Sequence, residues 1–179
     1  MNIAVDSTIL DEMVTNKLEN LKSLSEEKPI LLVFLRHFGC VFCKEALSNL
    51  SKKREQFENR GIQIVFVHMS ENDEADDYFI KYKLEGISHI SDPMANYYKA
   101  FKLTKGSFMQ LYGLQTWIRG YSLKKEGHQL EMAANLGDST QMPGLFLIQN
   151  GEVSEQYIHK RASDKPNYEK FLNFSVKVQ

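Results

Sequence analysis

Two cysteines, Cys40 and Cys43, are the residues of this chain whose type and spacing most clearly predict chemistry. They are its only cysteines, and they form a single Cys-x-x-Cys motif. A structural disulfide stabilises a protein mainly by closing a loop in the unfolded chain, and the effect grows with loop length. A Cys40–Cys43 bond would close a very short loop. The spacing therefore predicts redox or metal chemistry rather than a structural crosslink.

The motif lies where a predicted strand meets a predicted helix. Residues 30–35 form an unbroken apolar run, and the residues after Val41 show apolar side chains at helical spacing. A sulfur at a helix N-terminus faces unsatisfied N–H groups and the positive end of the helix dipole, which favour the thiolate. We therefore expect Cys40 to be an exposed nucleophile and Cys43 a recessed resolving thiol. The alternative is that both are small buried apolar side chains.

Positive charge near the motif favours the thiolate further, since Arg36, His37 and Lys44 flank it. His37 could act as an acid or base for Cys40, or as a ligand in a His-x-x-Cys-x-x-Cys metal site. We favour a third interpretation, a polar residue at the end of a strand. Structural zinc takes four ligands, and His68 is the only obvious additional candidate. The sequence thus predicts no metal and no bound cofactor.

The elements around the motif predict an α/β protein. An amphipathic helix over residues 8–25 precedes the strand at 30–35, and a second strand is predicted at 62–69 after the helix that begins at Val41. Strands joined by a helix in this way pair in parallel. Further along, we expect a helix over 73–84.

The second half of the chain predicts a β-hairpin after a long insertion. A short strand at 87–90 is followed by a helix with Pro93 at its first position. Residues 103–141 have no place in a minimal α/β unit and are predicted to be an insertion packed on the sheet. Asn-Gly between the runs 145–148 and 153–158 is a strong hairpin signal. Pro166 then opens a last helix.

The insertion contains four aromatic residues: Phe108, Tyr112, Trp117 and Tyr121. Aromatic side chains at helical spacing belong to a core more often than to a cofactor pocket. A lid or a dimer face is the functional alternative.

Composition limits the possible partners. The chain has 179 residues, 42% of them hydrophobic, and a net charge of -1, which fits one globular domain over residues 1–179. Nucleic acids and anionic membranes call for a basic surface, so neither is predicted as a partner. No apolar run is long enough to span a membrane. The N-terminus has no secretory signal pattern, which predicts a cytoplasmic protein.

Four segments resemble the peroxiredoxin-like members of the thioredoxin superfamily, a group described as AhpC/TSA antioxidant or selenoprotein U-like. The segments are LLVFLRHFGCVFCKEALSNL, ISDPMANYYKAFKL, GDSTQMPGLFLIQNGEV and RASDKP, and they extend over residues 31–166. The resemblance implies a thioredoxin-like fold, a mixed central sheet with helices on both faces. It also implies that Pro143, before the hairpin, is the proline that is cis in this fold and lies against the redox sulfurs.

The sequence departs from true peroxiredoxins at two places. Those proteins carry a Pro-x-x-x-Thr/Ser-x-x-Cys loop, whereas His37 occupies the hydroxyl position here and no proline starts the loop. They also place an arginine at the start of a late strand, where this chain has Pro143. Arg36 or Arg161 could supply the missing charge.

The resemblance implies a thiol-disulfide redox enzyme that uses Cys40 and Cys43 to reduce peroxides. A thioredoxin- or glutathione-type thiol would be the reductant, and a homodimer is possible. The alternatives are a thioredoxin-like protein disulfide reductase, which acts on a disulfide substrate, and a metal-binding module.

Overall fold

The central feature of the molecule is a five-stranded mixed sheet. The computed structural model describes residues 5–125, 127 and 138–173. The strands are β1 (Ile30–Phe34), β2 (Gln63–His68), β3 (Ser88–Ser91), β4 (Gly144–Gln149) and β5 (Glu152–Ile158). They lie in the order β3-β2-β1-β4-β5. Strands β1, β2 and β3 are parallel, β4 runs antiparallel to β1, and β5 runs antiparallel to β4.

Eight helices connect these strands within the described residues. They are α1 (Ser7–Glu12), α2 (Leu21–Glu27), α3 (Val41–Asn59), α4 (Asn72–Lys81), α5 (Asn96–Ala100), α6 (Phe108–Tyr112), α7 (Leu114–Lys125) and α8 (Tyr168–Leu172). The predicted β-α-β unit is thus β1-α3-β2, and its strands pair in parallel as expected.

Apolar side chains cover both faces of the sheet. Successive residues of a strand point to opposite faces, and in β1 Leu31 and Val33 join one cluster of buried residues while Leu32 and Phe34 join the other. The first cluster includes residues of α3 and α8, and the second includes residues of α1, α2 and α5. Burial on both sides explains why β1 is an unbroken apolar run, and it confirms the predicted layers.

The single N-terminal helix predicted over residues 8–25 is wrong. The chain forms two short helices instead, with an antiparallel bridge between Val14 and Asn20. Leu18 adopts a left-handed conformation (φ 63°) and is 88% exposed, although it fits the apolar spacing. Asn20 ends the turn because its side chain caps α2, accepting a hydrogen bond from the Ser23 N–H at 3.1 Å.

The helix predicted to start at Pro93 begins later, at Asn96. The Asp92 carboxylate accepts hydrogen bonds from the backbone N–H groups of Asn96 at 2.9 Å and Tyr97 at 2.8 Å. Capping from four residues away satisfies the first turn of α5 without Pro93. Helix α4 is also shorter than predicted, and Ile80, expected on its inner face, is exposed.

The hairpin is confirmed, with Asn150 and Gly151 both at positive φ (52° and 75°) as a two-residue turn requires. The predicted insertion contains α6 and α7, and its residues 126 and 128–137 lie outside the described part. Its four aromatic residues are exposed, so the prediction that they form a core is wrong. Among the helices described, none combines the length and apolar character needed to cross a membrane.

Candidate active site

The two cysteines lie at the junction of β1 and α3. Cys40 is the N-cap residue of α3, and Cys43 lies in the first turn of the helix. Both are free thiols. Cys40 is 5% exposed and Cys43 is 3% exposed, so the expectation of an exposed nucleophile is wrong.

Arg36 is the side chain that the structure brings onto Cys40. Its Nη1 donates a hydrogen bond to the Cys40 Sγ at 3.0 Å. Its Nε donates to the Gln141 carbonyl at 3.2 Å, and its Nη2 donates to the Ser139 carbonyl. The guanidinium is buried. A buried charge needs partners, and the sulfur of Cys40 is among those that Arg36 has here.

The two sulfurs differ in proton affinity. A hydrogen bond from the Cys43 thiol and the charge of Arg36 hold the pKa of Cys40 well below its usual range, although burial opposes them. Burial, followed by the hydrogen bond to Cys40, raises the pKa of Cys43 well above its usual range. The Arg36 backbone N–H also donates to the Cys43 Sγ at 3.2 Å. The pair therefore favours a Cys40 thiolate beside a Cys43 thiol.

Gln141 holds Arg36 in place, and the sequence analysis did not single it out. Its side chain is buried and donates to the Leu103 carbonyl at 3.0 Å, which ties the start of the insertion to its end. Its own carbonyl accepts from Arg36. The partners are 105 residues apart along the chain, and no local sequence pattern marks such a pair.

Tyr98 is a second positioning residue that the sequence predicted only as part of a helix face. Its hydroxyl lies 2.6 Å from the Leu35 carbonyl and 3.0 Å from the Val67 carbonyl. Leu35 directly follows β1 and Val67 is the penultimate residue of β2, so α5 fixes the start of the loop that leads to Cys40.

His37 lies beside the thiolate but is not part of a metal cluster in the described residues. Burial lowers its pKa below the ordinary value, while the neighbouring Cys40 acts in the opposite direction. His68, the other candidate ligand, is buried, and its Nε2 lies 2.8 Å from the Nδ1 of His89. No group of three or more His, Cys, Asp or Glu residues within 5–125, 127 and 138–173 is arranged to hold a metal ion.

Two predicted site residues remain. Pro143 lies at the site, whereas the contacts of Arg161 lie elsewhere. Pro143 lines a cleft together with Arg36 and Cys43, but its peptide bond is trans, contrary to what the resemblance implied. Arg161 is exposed, and its backbone N–H donates to Asp164 at 2.9 Å. Of the two arginines proposed for the missing charge, Arg36 is the one in contact with Cys40.

The cleft beside the cysteines is small and mostly apolar. Its volume is about 30 Å³, room for little more than one water molecule. His159 and Tyr168 line it as well. The His159 Nδ1 is buried without a hydrogen-bond partner among the described residues, and burial lowers the His159 pKa to about 4. His159 therefore presents a neutral imidazole at neutral pH.

Comparisons with known proteins identify the family and the fold. A sequence model of the family described as "AhpC/TSA antioxidant enzyme" matches residues 49–163. The matched region begins after Cys43, so it covers β2 to β5 and the insertion but neither β1 nor the cysteine pair.

Two curated relatives cover most of the chain. The thioredoxin-like protein AAED1, chloroplastic, of Arabidopsis thaliana is 24% identical over 85% of this chain, which spans 64% of that relative's length. The prostamide/prostaglandin F synthase of Danio rerio is 27% identical over 95% of this chain and 87% of its own.

A solved structure shows the same fold. The bacterioferritin comigratory protein of Xanthomonas campestris superposes with a TM-score of 0.63 at 13% identity, covering 90% of this chain and 88% of its own. The predicted thioredoxin-like fold is confirmed. Because the family match extends over more than half of the chain, this protein belongs to the AhpC/TSA antioxidant enzyme family, a peroxiredoxin-like branch of the thioredoxin superfamily.

Proposed function

We propose that this chain is a thiol peroxidase in which Cys40 reduces a peroxide and Cys43 resolves the oxidised product. The contact that supports this most directly is the 3.0 Å hydrogen bond from Arg36 Nη1 to the Cys40 Sγ. It stabilises the thiolate, and the thiolate is the nucleophilic form of cysteine.

The first step oxidises Cys40. An electron pair of the Cys40 thiolate attacks the terminal oxygen of a hydroperoxide, so that an S–O bond forms and the O–O bond breaks. The departing alkoxide takes a proton and leaves as an alcohol, or as water when the substrate is hydrogen peroxide. We assign the Cys43 thiol as the proton donor, because it is hydrogen-bonded to Cys40 and becomes a thiolate by giving up its proton.

The second step forms a disulfide. The Cys43 thiolate attacks the Cys40 sulfenic acid, an S–S bond forms, and hydroxide leaves and is protonated to water. A dithiol of the thioredoxin type, or two molecules of a glutathione-type thiol, then reduces the disulfide by exchange and is itself oxidised. The sum is the consumption of one peroxide and two external thiol equivalents per turnover.

The solved Xanthomonas relative is described for its alkyl peroxide reduction activity, and alkyl hydroperoxides are the substrate class we propose here.

A protein disulfide reductase is the second candidate, and one observation favours it. Pro143 and Cys43 line the same cleft, where a backbone segment of a substrate would lie in a thioredoxin-type reaction. The lowered pKa of Cys40 and the raised pKa of Cys43 suit either reaction.

Single-turnover stopped-flow oxidation of the reduced protein tests the proposal. We expect rapid oxidation by an alkyl hydroperoxide that Cys40→Ser abolishes, while Cys43→Ser, its matched partner, accumulates a trappable sulfenic acid. Oxidation no faster than that of a free thiol contradicts the peroxidase. Rapid reduction of insulin disulfides by the same protein would then support the reductase.

A further inference from the structure

Helix α7 carries an exposed apolar stripe. Residues at helical positions i, i+3, i+4 and i+7 lie on one side of the helix, and their side chains are between 57% and 73% exposed. They are Leu114, Trp117, Ile118 and Tyr121. The opposite side contains Thr116 and Leu123, which are buried. Thus α7 packs on the protein through one side, while the apolar side chains on its other side remain exposed among the described residues.

Helix α6, which precedes it, adds three more exposed side chains: Phe108, Met109 and Tyr112. The rings of Phe108 and Tyr112 are 5.5 Å apart and support each other. We call these seven residues of α6 and α7 the apolar face. Groups of exposed apolar side chains of this kind mark interaction sites in proteins.

The segment that contains the apolar face is rich in basic residues, and Glu126 is the first acidic residue that follows it in the sequence. Residues 93–125 contain six basic residues and no acidic residue, in a chain whose net charge is -1. The basic residues are Lys99, Lys102, Lys105, Arg119, Lys124 and Lys125. Asp138 pairs with Lys105 and Glu45 pairs with Arg119, and no carboxylate from within the segment opposes the other four.

We infer that the apolar face docks on an anionic lipid bilayer. A helix with aromatic and aliphatic side chains on one side and Lys or Arg beside them lies in the membrane interface, with its apolar side in the lipid and its cations on the headgroups. Lys124 and Lys125 end α7, and the Lys125 Nζ lies 4.8 Å from the Tyr121 ring. Long cationic side chains at such positions reach the headgroups from the edge of the buried surface.

A second copy of this chain fits the apolar face less well. A symmetric dimer through this face would bring two basic segments together, and like charges across an interface are unfavourable. The expectation that excluded anionic membranes depended on the net charge of the whole chain, which hides this local excess of positive charge.

Docking would bring the lipid surface next to the cysteine site. The Arg119 guanidinium lies 5.6 Å from the Phe42 ring, and Arg119 also pairs with Glu45. Both partners are in the first turns of α3, the helix that Cys40 caps. The inference does not depend on the proposed function.

Fluorescence of Trp117 tests docking directly, because it is the only tryptophan of the chain and belongs to the apolar face. The full chain is titrated with vesicles of phosphatidylcholine alone and of phosphatidylcholine mixed with phosphatidylserine. We expect a blue shift and quenching by brominated lipid with the anionic vesicles, reversed by high salt, and no change with the neutral ones.

Vesicle co-sedimentation of variants identifies the surface. We expect Lys124→Gln/Lys125→Gln to lower the partition coefficient about 30-fold, from the effect of two cations near an anionic surface. Ile118→Ser should lower it as well. The matched controls are Lys52→Gln/Lys81→Gln and Ile80→Ser, which change exposed residues of α3 and α4 and should leave binding unchanged.

Three results would overturn the inference. One is no shift of Trp117 emission with anionic vesicles, and another is equal loss of binding in the control variants. The third is a dimer in analytical ultracentrifugation that Ile118→Ser dissociates, since a second copy would then occupy the face.

Discussion

At the scale of single residues, Arg36 contacts both sulfurs of the cysteine pair. Its guanidinium contacts the Cys40 sulfur, and its backbone N–H contacts the Cys43 sulfur. The backbone carbonyl of Gln141, the last residue of the insertion, accepts a hydrogen bond from the same guanidinium. A thiolate buried this deeply would otherwise be unfavourable, so the hydrogen bond from Cys43 and the charge of Arg36 together make burial compatible with reactivity.

We expect Arg36→Met to raise the pKa of Cys40, because the variant removes an adjacent positive charge that lowers it. The thiolate fraction at neutral pH then falls, and the rate of iodoacetamide alkylation falls with it but recovers at high pH. The measurement is the alkylation rate of Cys40 as a function of pH. Arg161→Met is the matched control and should leave the profile in place. An unchanged profile in Arg36→Met would contradict the role assigned to Arg36.

At the scale of elements, capping side chains decide where helices begin, and a helix side chain can then hydrogen-bond to the ends of strands. Asn20 separates α2 from α1, and Asp92 delays the start of α5. Tyr98 in α5 then reaches the carbonyls of Leu35 and Val67, which links the helix to the ends of two parallel strands. The start of the loop that leads to Cys40 therefore depends on an element more than 50 residues away.

We expect Tyr98→Phe to lower the free energy of unfolding by about 1–2 kcal/mol, because the buried Leu35 carbonyl loses its partner hydroxyl. Urea denaturation measures this. Tyr97→Phe removes an exposed hydroxyl that donates to the Glu12 carbonyl at 3.0 Å, and it should cost about 0.5 kcal/mol or less. Equal losses in the two variants would argue against a clamp at Tyr98.

At the scale of the whole molecule, buried histidines connect stability to pH. Burial, with a smaller contribution from His89, lowers the pKa of His68 to about 3. Burial lowers the pKa of His159 to about 4. The ordinary value is 6.5 in both cases. Between the folded and ordinary values the unfolded chain binds protons that the folded protein does not, so stability is present above pH 6.5 and is lost as the pH falls towards 3–4.

We expect the free energy of unfolding to fall between pH 6 and 5 by about 1.2 kcal/mol for each such histidine, in proportion to its protonation in the unfolded chain. His68→Gln retains an amide that can bond to His89 but cannot titrate in this range, so its stability should change less steeply with pH. Urea unfolding at several pH values gives the slopes. Parallel slopes in the wild type and the variant would show that His68 does not carry the effect.

Much of the fold was predictable because its signals are local. The buried strand β1, the parallel β1-α3-β2 unit and the Asn150-Gly151 hairpin each follow from spacing or turn chemistry within a few residues. The N-terminal helix was predicted wrongly because residues 8–25 have helical spacing on both sides of a turn. Spacing alone does not show that a cap such as Asn20 divides the pattern.

The same contrast applies to the apolar face. Four residues of α7 have the spacing of a helix side, and that spacing is identical whether the side packs on a core or points outwards. The spacing therefore led to the wrong prediction that the aromatic residues belong to a core. The structure decides the direction, because Thr116 and Leu123 form the buried side of α7 and the helix packs on α3.

By itself the sequence determined the cysteine pair, its position between a strand and a helix, and the family resemblance, since these depend on residue types at short spacing. The tertiary structure alone decided that Cys40 is buried, that Arg36 and not Arg161 contacts it, and that Gln141 and Tyr98 hold the site. Those contacts join residues 105 and 63 positions apart, and they exist only after the sheet has brought distant segments together. Hydrogen bonds between residues so far apart produce no periodic pattern in the sequence, so only the folded structure shows them.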